Sequence, residues 1–225
     1  SRLSHFTQDD PKALLKINYK PILHYQLESL IDLNITDIAI VTGYRKEKIY
    51  SFLNKNSYDC NFHFYENLDY EITNSAYSLW MAKEFIENNH YVHLNCDILF
   101  SKKILSKIIK SQHSNAICLS KYVELKNNME MVELDSKDKI IDMNNYYTNS
   151  NFIAKAYGLS KISPEVTNFN LLQIENLISK NNLNENFYGI LRSAVDFFDF
   201  YGIFSLQKDI YEFNTIRDFD KYRAL

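Results

Sequence analysis

The chain has 225 residues, 46% of them hydrophobic and 24% charged, with a formal net charge of -3. This is the balance of one globular domain, large enough to bury a core without disulfides or metals. It excludes a disordered chain and a globally basic surface of the kind that draws in nucleic acid.

In chain order, residues 21–33 read as a helix with Pro21 in its first turn and Leu27, Leu30 and Ile31 at helical spacing. Residues 37–42 (DIAIVT) read as a buried strand ending at Gly43, 46–53 as a helix, and 61–66 (NFHFYE) as a strand. Residues 74–86 predict one long helix capped by Thr73 or Asn74. Residues 91–96 (YVHLNC) predict a strand, 102–110 a helix and 116–120 a strand. Strands alternating with helices in this way point to a mostly parallel sheet covered on both faces. The pattern then changes. Residues 129–134 and 139–143, around the turn 135–138, suggest a hairpin; 153–161 follows as a strand and 171–179 as a helix. Residues 187–198 read as a helix, 209–213 as a strand and 216–225 as a terminal helix.

Ligands of parallel sheets sit beyond the carboxyl ends of strands. Gly43 with Tyr44, Glu66 with Asn67, and Asp97 fall at such ends. Only four glycines are present, where an average chain of this length carries about 16. No two are close together, so these residues contain no Walker-type loop, dinucleotide fingerprint or nucleophile elbow. The odd cysteines Cys60, Cys96 and Cys118 include no CxxC, which argues for a reducing compartment. No apolar run is long enough for a spanning helix. His90, His93 and Cys96 lie at spacings of three, which on a strand puts neighbours on opposite faces and argues against zinc.

Taken singly, Lys12 reads as a solvated lysine, Asp97 as a turn or cap residue, and Asn74 and Ser78 as a cap and a surface polar residue one helical turn apart. The ordered set says more. Arg2-Leu3, Thr7 and PKALLKINYKPIL (11–23), then IAIVTGYRKEKI, NLDYEITNSAYSL, LNCDILF, KAYGLSKIS and YEFNTIRDF, together resemble the nucleotidyltransferases that make sugar nucleotides and CDP-alcohols. The TNSAYSL segment is similar to the cytidylyltransferase branch acting on phosphocholine, phosphonates or phosphoglutamine. The resemblance spans nearly the whole chain in order. It implies a three-layer, Rossmann-like α/β fold with a mostly parallel mixed sheet and a small acceptor-side subregion, as a single domain over residues 1–225. It also implies a first strand and glycine-rich loop before Ser1.

The resemblance further implies a Mg²⁺-dependent enzyme. CTP is its preferred triphosphate, joined to a small phosphorylated or phosphonate acceptor with release of pyrophosphate. The setting is cytoplasmic, and the product serves decoration of a polysaccharide or lipid. The alternatives are a sugar-1-phosphate thymidylyl- or uridylyltransferase, or a non-catalytic nucleotide-binding relative. By the same resemblance Arg2 and Lys12 are catalytic cations. Gly43, Asn67, Asn74, Ser78, Lys155 and Tyr188 bind nucleotide or acceptor. Asp97, Glu212 and Asn214 hold the metal, with neutral Asn214 in place of an aspartate, Cys96 in place of a glycine, and Gly189 where an acidic residue often follows the tyrosine.

Overall fold

The computed structural model describes residues 9–146 and 151–223. The chain enters through a 3₁₀ turn, Lys12–Leu14, and a two-residue ladder, β1 (Lys16–Ile17) with β2 (Lys20–Pro21). Helix α1 (Ile22–Ile31) follows. Pro21 stands just before it at an extended backbone position (φ -62°, ψ 152°), not in its first turn as expected, because it still belongs to the ladder. Next come β3 (Asp37–Thr42), α2 (Lys46–Asn56) and β4 (Asn61–Glu66). The two strands match the sequence expectation residue for residue.

The predicted helix 74–86 is two helices, α3 (Ser75–Met81) and α4 (Lys83–Ile86). Ala82 between them leaves the helical region (φ -92°, ψ 17°) and donates its N–H to the Leu79 carbonyl, a tighter turn than an α-helix makes. The predicted strand 91–96 stops early as β5 (Tyr91–Leu94). A short strand absent from the sequence reading, β6 (Ile98–Phe100), follows it. Helix α5 (Lys102–Ile109) and β7 (Ala116–Ser120) come next. The expected hairpin is present as β8 (Met131–Leu134) and β9 (Ile140–Asn144). Its turn is fixed by Asp135, whose carboxylate accepts from the N–H groups of Lys137 at 2.8 Å and Lys139 at 2.9 Å.

The nine-residue β10 (Ala154–Ile162) leads into α6 (Pro164–Ser179). That helix starts seven residues before the expected position, because Ser163 caps it and Pro164 stands at its first turn. Helix α7 (Phe187–Val195), β11 (Tyr201–Phe204), β12 (Ile210–Glu212) and α8 (Ile216–Arg223) complete the described chain.

The fold is the expected three-layer α/β arrangement, with a mixed sheet. Among the described residues parallel pairing is confined to β3 with β4 and β11 with β7, so the sheet is less parallel than the alternating pattern predicted. Strand β10 is the hub. It pairs antiparallel with β7 on one edge, and with β5 and β8 along the other. Alternation along the strands divides the core. Ile117, Leu119, Ala154 and Ala156 face α3, α6 and α7, whereas Cys118, Tyr157 and Leu159 face α1 and α5. Strand pair β6–β12 carries residues 97 and 212–214 to one end of this sheet.

Leu191 of α7 is fully buried in the larger core. Leu191→Ala therefore costs about 2–5 kcal/mol in urea unfolding. A cost well below 1 kcal/mol would mean that α7 does not close this core.

Candidate active site

A cleft of about 1010 Å³ runs between β3 and β5 along the whole of both strands and reaches their carboxyl ends. Pro11 and Lys12 reach it from the entry turn, Gly43 and Tyr44 from the end of β3, and Asp97 from the segment after β5. Lys12 Nζ donates to Asp97 Oδ2 at 3.0 Å and to Asn214 Oδ1 at 3.3 Å. Three segments separated by 85 and 202 residues in sequence thus meet at one ammonium. Asp97 Oδ1 is buried and has no hydrogen-bond partner among the described residues.

The turn carrying Asp97 is fixed from several sides. Gln26 on α1 is buried and donates its Nε2 to the carbonyls of Asn95 and Ile98, both at 2.8 Å. The Phe213 N–H donates to the Asp97 carbonyl at 2.9 Å. Asn95 donates its N–H to the Gly158 carbonyl at 2.8 Å, and its side chain lies over Gly158. A Cβ on Gly158 would stand 2.1 Å from Asn95 Cγ, so that approach needs glycine. The sequence reading missed Gln26. Its signal was a polar residue in the apolar stripe of Leu23, Leu27 and Leu30.

A second pair lies on β10 and β12. Lys155 Nζ meets Glu212 Oε2 at 2.5 Å, with side chains 10% and 18% exposed. Glu212, expected to supply charge for a metal, is thus committed to a lysine. The backbone after it is tied by Asp218, which accepts from the N–H groups of Asn214 at 2.9 Å and Thr215 at 2.7 Å. Tyr188 on α7 turns its hydroxyl inward. That hydroxyl is buried without a partner among the described residues, and burial, with the charges of Glu212, Glu130 and Asp97, holds its pKa well above the ordinary value. A third charged pair, unforeseen from the sequence, joins Arg192 Nη1 to both carboxylate oxygens of Glu130 at 2.7 and 2.9 Å. Burial pushes the Glu130 carboxyl up, against the pull of Arg192.

The remaining expected site residues divide. Asn67 is buried and donates to Thr73 Oγ1 at 2.9 Å and Ser78 Oγ at 3.1 Å, so Asn67 and Ser78 are brought together beside the cleft. Gly43 lines the cleft, and a Cβ there would lie 2.9 Å from Tyr70. Asn74 does not line it. Asn74 caps α3, accepting from the Ser75 N–H at 2.8 Å, and contacts Asn184. Arg2 lies outside the described residues. Cys96 is exposed in the cleft beside Asp97. Among the described residues no three His, Cys, Asp or Glu side chains gather to hold a metal. A single Mg²⁺ usually takes only one or two protein carboxylates beside substrate phosphates.

The profile of the family described as Nucleotidyl transferase matches residues 1–145. The CTP:phosphoglutamine cytidylyltransferase of Campylobacter jejuni is 32% identical over 126 residues, 54% of this chain and 49% of that protein. The choline-phosphate cytidylyltransferase of Streptococcus pneumoniae is 34% identical over 113 residues, 50% of this chain and 47% of that protein. The chain thus spans about half the length of these two relatives. The solved CTP:phosphocholine cytidylyltransferase from Streptococcus pneumoniae superposes with a TM-score of 0.80 at 22% identity, covering 100% of this chain and 93% of that one, which is a likeness of fold.

His93 on β5 stacks on Phe187 with ring centroids 3.6 Å apart, and its Nε2 meets Asn95 Oδ1 at 3.0 Å. Burial lowers its pKa from 6.5 to about 4. The unfolded chain therefore takes up a proton that the folded one refuses, and stability present above about 6.5 is lost as pH falls towards 4. Urea midpoints followed across this range will show that loss, and His93→Gln will flatten it. The same pH slope in both proteins would exclude His93 as its source.

Proposed function

The chain belongs to the nucleotidyl transferase family, and from that premise we propose that it is a cytidylyltransferase acting on a small phosphorylated or phosphonate acceptor. An acceptor oxygen attacks the α-phosphorus of CTP. The new P–O bond forms as the bond to the β-phosphate bridging oxygen breaks, and pyrophosphate leaves with that electron pair. Charge spreads over oxygens in the transition state, so positioned cations supply most of the catalysis.

The observation that supports this reading is a pair of lysines, Lys12 lining the cleft and Lys155 on β10 outside its lining, each paired with one carboxylate. Two held ammonium groups suit two phosphorus centres. Lys12 stands beside Asp97 and suits the α-phosphate of the triphosphate. Lys155, with Tyr188 on the neighbouring helix, suits the acceptor phosphate. Asn67, just past β4, donates to Ser78 on α3, and this polar pair beside the cleft suits the nucleotide.

Mg²⁺ fits the unpartnered Asp97 Oδ1 and the amide oxygen of Asn214, and when bound it would neutralise phosphate charge. With phosphates present, Asp97 and Glu212 no longer need to be the counter-ions of the lysines. Each lysine can then turn from its carboxylate to a phosphate oxygen. The named relatives favour CTP as donor and phosphocholine or phosphoglutamine as acceptor.

Pyrophosphate release tests the reading, with CTP, UTP, dTTP and ATP each crossed against phosphocholine, phosphoglutamine, a phosphonate and a sugar 1-phosphate. CTP is expected to give the highest rate, and Lys12→Ala to lower kcat/KM by about 10²-fold or more. Turnover unchanged by Lys12→Ala removes Lys12 from the chemistry. No turnover with any pair leaves a nucleotide-binding protein without activity.

A further inference from the structure

Helix α7 carries charged groups that the lysine-centred chemistry does not use. Arg192 stands one turn after Tyr188, so the two side chains leave the helix on the same face. Arg192 Nη1 donates to both carboxylate oxygens of Glu130, at 2.7 and 2.9 Å. Among the described residues the other guanidinium nitrogens make no hydrogen bond, so the fork that reads a planar acid group is open. The Glu130 side chain is 5% exposed and that of Arg192 25%, so an arriving molecule meets the guanidinium first. Glu130 is placed by the sheet. Its carbonyl accepts from the Ala156 N–H at 2.8 Å, one residue along β10 from Lys155.

A second carboxylate comes from the residue before the cap of α7. Glu185 lies across Gly189. A Cβ there would overlap Glu185 Oε1, so glycine is what admits the carboxylate to this face of the helix. Glu185 Oε1 accepts from the Asn186 N–H at 2.9 Å, and Oε2 has no hydrogen bond among the described residues. Gly189 is three residues before Arg192, so the Glu185 carboxylate is presented one turn from the guanidinium. Burial raises the Glu130 carboxyl against the pull of Arg192, and the charge of Glu185 adds to the rise, so the three groups lie within electrostatic reach of one another. Besides burial, the Tyr188 hydroxyl feels the charges of Glu212 and then Glu130, which connects this group to the pair of Lys155 with Glu212.

The charge pattern selects among acceptors. A head group that is only cationic would sit against Arg192, and one that is only anionic would sit against two carboxylates. Like charges placed together oppose binding, and a head group with both signs escapes both penalties. Resting on the cytidylyltransferase reading, we propose that the acceptor carries a free α-amino acid at the end away from its phosphorus, with Arg192 taking the carboxylate and Glu185 the ammonium. Glu130 lies beneath Arg192 as its counter-ion. Tyr188, about 6 Å back along the helix axis, faces the phosphorus end.

Three matched phosphonates test this, each offered with CTP in the pyrophosphate assay. 2-Amino-4-phosphonobutanoate has both groups, 3-aminopropylphosphonate lacks the carboxylate, and 4-phosphonobutanoate lacks the amine. The first is expected to give a kcat/KM about tenfold or more above either of the others and above phosphocholine. Arg192→Lys keeps a counter-ion for buried Glu130. It is expected to lower kcat/KM about tenfold for the two compounds with a carboxylate and to spare 3-aminopropylphosphonate. Glu185→Gln is expected to slow the two compounds with an amine and to spare 4-phosphonobutanoate. Titration calorimetry of the same three compounds without nucleotide reads their affinities directly. A chain that releases no pyrophosphate therefore overturns the cytidylyltransferase reading, while the order of affinities still decides this inference. Equal rates and affinities for the three compounds, a preference for 3-aminopropylphosphonate or phosphocholine, or variants that slow all three compounds alike overturn it.

Discussion

Lys12 and Asp97 hold each other at the point where three distant segments meet, and the candidate site is arranged around that contact. An ammonium withdrawn from water needs a counter-charge, and so does a carboxylate. Asp97 can serve because its turn is held rigidly. Gln26 ties the carbonyls on both sides of it, Phe213 donates to its own carbonyl, and Asn95 crosses Gly158 just before it. Lys12 can serve because Pro11 and the 3₁₀ turn place it at the end of the sheet. The pair of Lys155 and Glu212 repeats the arrangement one strand pair away. Such pairs contribute little to stability, since the cost of removing both charges from water offsets most of their attraction. Each pair holds its lysine in one position, Lys12 at the cleft and Lys155 on β10.

The sheet explains why these positions lie where they do. The polar turns gather at one end of the strands, while the helices pack on alternating apolar residues along them. The core and the site therefore use different parts of the same elements. Ile117 and Leu119 of β7 serve one core layer and Cys118 the other, whereas the useful residues of β5 and β12 come at or beyond their last ladder positions.

Much of this was legible in the sequence, for identifiable reasons. Strands 37–42 and 61–66 could be read at their observed bounds because an apolar or aromatic run is closed by Gly43 in one case and Asn67 in the other. Asp97 and Gly43 were recognisable as end-of-strand residues, and Lys12 through the ordered segments around it. What escaped was long-range. The break at Ala82 leaves no mark in an alanine, and apolar periodicity runs straight through it. Strand β6 is three buried residues that exist as a strand because β12 pairs with them. The ion pairs of the site join residues 57 to 85 positions apart, and no local pattern announces such a partner. Asn74 was expected to bind nucleotide from the resemblance, one helical turn before Ser78, but capping a helix of seven residues occupies its side chain.

The central claim is that the part-buried contact of Lys12 with Asp97 serves positioning and not stability. A double-mutant cycle on Lys12→Met and Asp97→Asn, read in parallel by urea unfolding and by pyrophosphate release from CTP, tests it most directly. The account predicts a double variant whose stability stays within about 1 kcal/mol of the parent, because the two desolvation costs are removed together. It also predicts that turnover is lost in each single variant and in the double variant. A double variant that unfolds far more readily while the surviving folded protein keeps its turnover would contradict it.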